Sequence, residues 1–206
     1  MPEAPDEPLL ERDLDADPIA QVARWIEDAR AAGVLEPTAM TLATVDGDGR
    51  PTARTVLLRG LDARGFRFYT NHGSRKARAI DEDARVALVL LWKELGRQVK
   101  VTGRAEHLSR EDSAAYFATR PRGHRLAAWA SRQSEPAPSR EALDAAFADV
   151  ETRFAGVEDV PLPDHWGGFL VVPDTIEVWK DRRNRMHDRF RYTREGARWR
   201  LERIWP

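Results

Sequence analysis

A chain of 206 residues is long enough for one domain with its own hydrophobic core, and 42% hydrophobic with 33% charged residues is ordinary for a globular protein without membrane-spanning segments. Because the chain contains no cysteine, disulfides, thiolate metal sites, iron–sulfur clusters and a cysteine nucleophile are excluded. Its formal net charge of −1 gives no overall electrostatic field that would attract a polyanion such as nucleic acid.

The N-terminal part predicts an acidic, mobile segment followed by one helix. Residues 1–9 combine prolines with acidic side chains, so we expect them to be mobile. Asp17 is a suitable N-cap, Pro18 fits the first helical position, and Gly33 ends the pattern. The apolar stripe of this helix consists of Ile19, Val22, Ile26 and Ala29. Such a stripe predicts a helix that packs one face against a core.

From residue 40 onward the pattern predicts extended strands joined by tight turns. The first three candidate strands are 40–45, 52–61 and 66–70. Their short connections predict an antiparallel meander. A short helix and two further strands, 86–92 and 98–108, are expected next, because both strand segments are rich in β-branched and aliphatic residues.

Helix signals return in the second half of the chain. Ser109, followed by Asp112, resembles a capping box and predicts a helix that ends near residue 119. Pro121 and Gly123 are expected to break it and to begin a loop that continues to about residue 138. Ser139 then caps a second helix that is expected to end near residue 154.

The C-terminal part predicts one strand and one hairpin. The strand is expected at 168–179, and the hairpin at 190–204 turns at Glu195-Gly196. Strands dominate, and they do not alternate with helices as in a Rossmann fold. The expected class is therefore mainly β (β-rich α+β), as a small antiparallel barrel with peripheral helices in a single domain, 1–206.

The two ends of the chain carry opposite charge. Residues 1–17 contain seven acidic residues and one basic residue, whereas 180–206 contain ten basic and four acidic residues. An acidic start is the opposite of a secretory signal, so we expect a cytoplasmic protein. The basic end indicates either an anion-binding site or a solvated arginine face paired with the acidic end. Phe190, Tyr192 and Trp199 have the spacing of packed strand residues, so nucleic-acid binding is not expected.

A phosphate ligand would have to be held by side chains, because the chain has no glycine-rich phosphate loop. Arginine forks match phosphate oxygens, although a single arginine on a strand is more often a solvated surface residue. The candidates are Arg54, Arg59, Arg75-Lys76, Arg120-Pro121-Arg122 and the run 185–189. His187 in that run is either a site histidine or a hydrogen-bonded structural one. The five histidines lack metal-ligand spacing, so no metal is expected, and the missing Gly-x-Ser-x-Gly elbow argues against a serine hydrolase.

An ordered set of motifs nevertheless points to one family. It comprises Arg54-Thr55-Val56-Leu57-Leu58-Arg59, Phe68-Tyr69-Thr70-Asn71 with Gly73-Ser74-Arg75-Lys76, Arg97-Gln98-Val99, Tyr116-Phe117 with Arg120-Pro121-Arg122, Ser131-Arg132-Gln133-Ser134, Trp166-Gly167-Gly168-Phe169, Glu177-Val178-Trp179 and Arg185-Met186-His187-Asp188-Arg189-Phe190. Over nearly the whole chain, from about Leu10, the sequence resembles the pyridoxine/pyridoxamine 5′-phosphate oxidases. Any single motif is weak, but together and in this order they are highly specific.

This resemblance implies an FMN-binding split β-barrel that works as a homodimer with FMN at the subunit interface. Residues 180–206 would supply a substrate loop and a dimerisation hairpin. By position, the FMN-binding residues would be Arg54, Thr55, Val56, Leu57, Leu58, Tyr69, Thr70, Arg75, Lys76, Gln98, Gln133, Ser134, Trp179 and Arg189. Cations would neutralise the phosphate, while amide and hydroxyl groups would satisfy the edge of the flavin ring.

The resemblance also implies a reaction. Pyridoxamine 5′-phosphate and pyridoxine 5′-phosphate would be oxidised by O₂ to pyridoxal 5′-phosphate, with release of H₂O₂ and, from the amine, of NH₃. The substrate-binding residues would be Arg59, Tyr116, Arg120, His124, Arg185 and His187. Of these, Arg185 and His187 would be the catalytic pair, acting as orienting and electrostatic groups on the substrate ring.

Three departures from the family pattern bear on the substrate. Arg59 stands where a lysine is usual, His124 replaces a usual serine, and residues 181–184 replace a frequent glycine pair. Two alternatives therefore stay open. One is a related FMN oxidase of the same superfamily with another substrate, of the phenazine-pathway type. The other is a non-catalytic protein that binds FMN or pyridoxal phosphate.

Overall fold

One antiparallel sheet of nine strands forms the body of the chain in the computed structural model, which describes residues 7–206. The strands are β1 (Ala39–Val45), β2 (Pro51–Leu57), β3 (Gly60–Asp62), β4 (Gly65–Asn71), β5 (Arg85–Trp92), β6 (Arg97–His107), β7 (Trp166–Lys180), β8 (Asp188–Glu195) and β9 (Arg198–Arg203). The helices are α1 (Pro18–Ala31), α2 (Arg75–Glu82), α3 (Arg110–Ala118), α4 (Arg122–Ala130) and α5 (Arg140–Arg153). None of the helices in this part of the chain is long and apolar enough to cross a membrane.

The order of the strands explains how the sheet curls. Hydrogen-bonded neighbours follow the path β2-β1-β5-β6-β7-β4-β3, while β8 pairs with β7 and β9 pairs with β8. The two distant strands β2 and β4 come close to each other without forming a ladder. The sheet is thus a half-open barrel with helices at its periphery, which confirms the predicted β-rich antiparallel class.

The core lies inside this curled sheet. Alternate residues of β4, β5, β6 and β7 are fully buried, and α1 covers one end through Val22, Trp25 and Ile26. The predicted start of α1 is confirmed, because the Asp17 carboxylate accepts a hydrogen bond of 2.9 Å from the Ile19 amide. Apolar burial of this extent is the main stabilising contribution to the fold.

Leu42 and Leu35 offer a matched test of this core. Leu42 in β1 has no exposed surface, whereas Leu35 is 91% exposed. We expect Leu42→Ala to lower the free energy of unfolding by about 2–5 kcal/mol, because it removes buried methyl groups and leaves a cavity. Leu35→Ala should change it by less than about 0.5 kcal/mol. Urea unfolding of both variants measures the difference, and equal effects would contradict the assigned core.

The acidic and basic ends of the chain meet, as one of the two interpretations of the charge pattern predicted. Arg203 in β9 pairs with Glu11 at 3.0 Å and with Asp188 at 2.7 Å. The predicted mobile segment 1–9 falls partly on residues 1–6, which lie outside the described residues. Leu9, the last residue of the predicted segment, is buried, and its amide donates to the Asp188 carboxylate at 2.9 Å. Leu9 is therefore held in place by the body of the protein.

Two predicted boundaries were wrong. The strand predicted at 52–61 is interrupted, because the amide of Leu58 donates to Thr38 (2.9 Å) and that of Arg59 to Arg67 (2.8 Å). The chain therefore changes neighbours between β2 and β3. The loop predicted at 121–138 contains α4. Pro121 lies before its first turn, where a missing N–H costs nothing, and Leu126 is buried on the helix face that packs inward.

Candidate active site

A cleft of about 590 Å³ collects most of the predicted site residues. It is lined by eleven of them, namely Thr55, Val56, Leu57, Arg59, Tyr69, Thr70, Lys76, Tyr116, Arg120, His124 and Gln133. Thr119, Pro121 and Trp166 also line it and were not predicted as site residues. Such a concave space with a few converging polar groups is the usual form of a small-molecule site.

The sheet and three helices position these side chains. The end of β2 contributes 55–57, the end of β4 contributes Tyr69 and Thr70, and the first turn of α2 contributes Lys76. The C-terminal part of α3 and the start of α4 contribute Tyr116 and His124. The cleft therefore lies where β2 and β4 approach each other without pairing.

Lys76 is bound by neutral oxygen atoms. Its Nζ donates to Gln133 Oε1 at 2.9 Å, to Thr70 Oγ1 at 3.1 Å and to Ser74 Oγ at 3.3 Å, and Thr70 Oγ1 in turn donates to Gln133 Oε1 at 2.9 Å. Burial, with the nearby positive charge of Arg54, lowers the pKa of Lys76 to about 8. Burial and the charge of Arg54 destabilise the protonated form of Lys76, and a bound anion would stabilise it.

Arg54 and Arg75 extend the positive charge around Lys76. Arg54 Nη1 donates to the Leu42 carbonyl at 3.1 Å and to Thr44 Oγ1 at 2.9 Å. Burial and the neighbouring Arg75 lower the pKa of Arg54. Arg75 forms an ion pair with Asp46, in which the nitrogen and oxygen atoms are 3.5 Å apart. Three cations that repel one another would be stabilised by a dianionic phosphate, so these residues fit the phosphate end of FMN.

Arg120 forms the second cationic group of the cleft with Arg59. Its Nη1 atom is buried and has no hydrogen-bond partner within residues 7–206. Burial is the largest cause of the lowered pKa of Arg120, and the positive charge of Arg59 adds to it. Buried donors without partners are rare in proteins and need an explanation, which an anion bound in the cleft would supply here. This second group thus fits a second anion.

Aromatic rings form one wall of the cleft. Tyr69 and Tyr116 stack with ring centroids 3.8 Å apart at 14°. Trp166 lies nearly parallel to both, 5.6 Å from Tyr69. Gly168 permits this packing, because a Cβ there would come within 2.7 Å of the Tyr69 ring.

A second group of predicted residues lies away from the cleft, at the C-terminal end of β7. Gln98 and Arg189 both pair with Trp179 in the sheet register. The His187 ring lies 4.7 Å from the Trp179 ring, and its Nδ1 is 3.0 Å from Asp181 Oδ1. Arg189 binds the buried Glu177 at 2.8 Å.

The loop before β8 holds Arg185 in an unusual backbone conformation. Asn184 and Arg185 have φ angles of 57° and 61°, in the left-handed region that non-glycine residues seldom occupy. Arg185 is exposed. Strain of this kind clusters at functional sites, and the positive φ sets the direction of the Cα–Cβ bond of Arg185.

The two groups lie at opposite ends of β7. Tyr69 pairs with Gly168 near its start, whereas Gln98 pairs with Trp179 near its end. Eleven residues separate these positions, which is about 36 Å along an extended strand and less through space where the sheet curls. None of the residues of this second group lines the cleft of the same chain.

Three other candidates occupy distinct positions. Leu58 is buried in the hydrophobic core, so only its backbone could face a ligand. Ser134 is exposed next to Gln133 and has a φ of 75°. Arg122 binds the Phe154 carbonyl at the end of α5, away from the cleft. Within residues 7–206, no group of three or more histidine or carboxylate side chains is arranged to hold a metal ion.

Trp166 is the principal site residue missing from the predicted set. It belongs to the quoted motif Trp166-Gly167-Gly168-Phe169, yet nothing local in that motif indicates that its ring would reach a cleft formed by β2, β4 and α3. Its pairing with Asn71 of β4 decides this position. The signal was present as a motif but could be assigned only from the tertiary structure.

Comparison with known proteins agrees with these features. Residues 26–154 match the family model described as pyridoxamine 5′-phosphate oxidase. Residues 166–206 match the model described as the pyridoxine 5′-phosphate oxidase C-terminal dimerisation region. Among curated proteins, a pyridoxine/pyridoxamine 5′-phosphate oxidase of Rubrobacter xylanophilus is 58% identical over 96% of this chain and 91% of its own length. One of Bordetella petrii is 48% identical over 96% of this chain and 93% of its own.

Solved structures show the same fold. PhzG from Burkholderia lata 383, determined in complex with tetrahydrophenazine-1-carboxylic acid, has a TM-score of 0.90 and 32% identity, covering 97% of this chain and 98% of its own. A pyridoxamine 5′-phosphate oxidase-related, FMN-binding protein of Nostoc punctiforme has a TM-score of 0.76 at 20% identity, covering 91% of this chain and 96% of its own. The chain therefore belongs to the pyridoxamine 5′-phosphate oxidase family, the family of FMN-dependent split-barrel oxidases that its motifs predicted.

Proposed function

We propose that this chain oxidises pyridoxamine 5′-phosphate and pyridoxine 5′-phosphate with O₂ to pyridoxal 5′-phosphate, releasing H₂O₂ and, from the amine, NH₃. The observation that carries this proposal is a single cleft with two cationic groups, one around Lys76 and one around Arg120. Two phosphates, one on the cofactor and one on the substrate, match that arrangement. The names of the relatives at 46–58% identity support the same reaction.

The first cationic group would hold the FMN phosphate. Arg54, Arg75 and Lys76 would neutralise its charge, while 55–57, Thr70 and Gln133 would line the rest of the cofactor. When bound, FMN supplies the two-electron redox chemistry between the substrate and O₂. The chain contributes binding, orientation and the electrostatic environment of the ring.

The pKa of Lys76 gives this cofactor site an expected pH dependence. Lys76 loses its proton above about pH 8 in the chain without ligand, and a bound phosphate dianion would raise that pKa. FMN affinity should therefore be constant between about pH 7 and 8 and weaken as the pH rises above 8, by at most about tenfold per pH unit. Titration of FMN fluorescence between about pH 7 and 9.5 measures this, since the phosphate stays dianionic over that range. An affinity that does not change across pH 8 would contradict the role of Lys76.

The second cationic group would hold the substrate phosphate. Arg59, Arg120, His124 and Tyr116 all line the cleft, and the charges of Arg59 and Tyr116 act on Arg120. Arg59 in place of lysine offers a planar fork with more donors, and His124 in place of serine offers a ring nitrogen. Both departures keep groups that can bind a phosphate.

The remaining residues would come from a second copy of the chain. Gln98, Trp179, Arg185, His187 and Arg189 lie at the far end of β7 from the cleft. In a two-fold dimer each cleft can receive this group from the partner, and two identical sites result. The match of 166–206 to a dimerisation region supports this arrangement. Arg185 and His187 would then orient the substrate ring over the flavin.

A phenazine-type substrate is the second candidate. The structural similarity to PhzG, a protein solved with a carboxylic acid ligand, favours it. A carboxylate, however, carries one negative charge, whereas a phosphate carries nearly two. It would therefore neutralise the positive charges of Arg59 and Arg120 less completely. The non-catalytic alternative predicts that FMN or pyridoxal phosphate binds without formation of H₂O₂.

Oxygen consumption by the purified, FMN-loaded protein tests the proposal. We expect pyridoxamine 5′-phosphate and pyridoxine 5′-phosphate to be oxidised, with pyridoxal 5′-phosphate and H₂O₂ formed in equal amounts. Pyridoxamine and pyridoxine without phosphate are the controls and should react poorly, because they cannot use the second cationic group. If a tetrahydrophenazine carboxylate is oxidised and the B6 phosphates are not, the substrate assignment is wrong while the cofactor assignment stands.

A further inference from the structure

We propose that Trp166 is a positioning residue that holds the Arg120 guanidinium in the cleft with its positive charge uncompensated, ready for a phosphate group. The inference rests on the proposed function, because it takes Arg120 as a ligand of the substrate phosphate. Trp166 contacts Arg120 through its ring face and would act on the substrate only through it.

The contact is a cation–π interaction in a buried place. The central guanidinium carbon of Arg120 lies 4.6 Å from the Trp166 ring centroid and 5.5 Å from that of Phe117. Trp166 is only 7% exposed. Tryptophan is the best ring for such a contact, and the attraction is strongest where water is excluded.

In the part of the chain that the structure describes, no carboxylate takes part in holding Arg120. Among residues 7–206, the charges that act on the pKa of Arg120 come from Tyr116 and Arg59, and its Nη1 has no hydrogen-bond partner. A carboxylate would accept the guanidinium N–H groups and cancel the charge. An aromatic face attracts the cation without occupying those donors, so a phosphate can still bind them in the plane of the guanidinium group.

Trp166 is itself fixed by its neighbours. It is the first residue of β7 and pairs with Asn71 of β4. Its ring stacks on Tyr69 at 5.6 Å and meets the edge of Phe117 at 5.0 Å. The indole can therefore set the position of Arg120 rather than follow it.

The chain contains a matched control. Trp129 in α4 has a similar contact, because Arg153 lies 4.7 Å from its ring centroid. Neither Trp129 nor Arg153 lines the cleft. Replacing Trp129 removes the same type of residue and the same type of contact without touching Arg120.

The experiment compares FMN-loaded wild type, Trp166→Leu, Trp166→Phe and Trp129→Leu. For each protein, the change in flavin absorbance gives the dissociation constants of pyridoxal 5′-phosphate and of pyridoxal without phosphate. FMN content and thermal midpoint are recorded alongside to follow any general damage. We expect Trp166→Leu to weaken binding of pyridoxal 5′-phosphate about tenfold and to leave binding of pyridoxal unchanged.

The conservative variant and the control variant distinguish loss of the Trp166 ring face from general damage to the protein. Trp166→Phe keeps a ring face and should recover much of the affinity, while Trp129→Leu should match wild type for both ligands. The proposal would be overturned if Trp166→Leu lost equal affinity for the two ligands or lost affinity for neither. It would also be overturned if the wild-type protein did not bind pyridoxal 5′-phosphate. If the wild type binds this ligand but oxidises neither B6 phosphate, the proposed function fails while the positioning role is still decided by the variants.

Discussion

Replacing Arg185 with alanine should lower turnover about a hundred- to a thousandfold while FMN stays bound, because an orienting cation at the substrate ring is lost and the cofactor phosphate group is untouched. Positive φ angles such as those of Asn184 and Arg185 cluster at functional sites, and this observation motivates the choice of Arg185. Steady-state oxidation of pyridoxamine 5′-phosphate gives the turnover, and the flavin absorbance of the purified variant gives its FMN content.

Arg64→Ala is the matched control for this variant, since Arg64 is an exposed arginine in the turn between β3 and β4 and lies outside residues 166–206. It should keep wild-type turnover. Arg185→Lys separates charge from shape, and we expect it to fall between wild type and Arg185→Ala because lysine lacks the planar fork. Wild-type turnover in Arg185→Ala would remove Arg185 from the catalytic pair.

Replacing Lys76 with methionine should weaken FMN binding about a hundredfold, or ~2.7 kcal/mol, because the phosphate would lose a partly buried cation that is held by neutral oxygens. Methionine is similar in length and carries no charge, so the packing of α2 should survive. Fluorescence titration of the apoprotein with FMN measures the affinity. Above pH 8 the difference from wild type should shrink, because wild-type Lys76 also loses its charge there.

Lys93→Met is the control for the loss of one positive charge, since Lys93 is exposed in the turn between β5 and β6. It should bind FMN like wild type. If Lys76→Met purifies with a full complement of FMN and an unchanged dissociation constant, the phosphate site has been assigned to the wrong residues. A general effect of net charge would instead appear in both variants.

The same two substitutions test whether the site is shared between subunits. Lys76 belongs to the cleft and Arg185 to the group at the other end of β7. In a shared site, a heterodimer of Lys76→Met and Arg185→Ala chains has one site with both defects and one intact site. A random mixture should then regain about a quarter of wild-type activity, because half of its dimers are mixed. Absence of any recovery would indicate that both residues serve the cleft of one chain.

Local patterns predicted most of the secondary structure correctly. Asp17 and Pro18 begin α1, and Ser139 caps α5 through a hydrogen bond from the Ala142 amide. The strands with alternating burial and tight turns were also found. In each case the residues that interact lie within a few positions of one another, so the local sequence pattern is enough to predict the element.

The errors arose where distant contacts override local signals. The segment 52–61 has a continuous strand pattern, but Leu58 turns into the core and its amide finds Thr38 instead of a ladder partner. Pro121 and Gly123 are ordinary helix breakers, yet α4 forms because Leu126 packs against Phe154 and Val160. Pro121 lies before the first turn, where its missing N–H costs nothing, and burial of apolar surface between segments far apart in sequence outweighed the low helix propensity of Gly123.

The sequence by itself determined the family, the cofactor class and the identity of most cleft residues, because ordered motifs and cation-rich segments can be recognised without a structure. It could not show that Lys76 and Arg120 line one cleft while Gln98 and His187 lie at the other end of β7. Nor could it show that the Trp166 ring lies under Arg120. The pairing of β7 with β4 and β6 fixes these distances, and that pairing depends on the whole curled sheet.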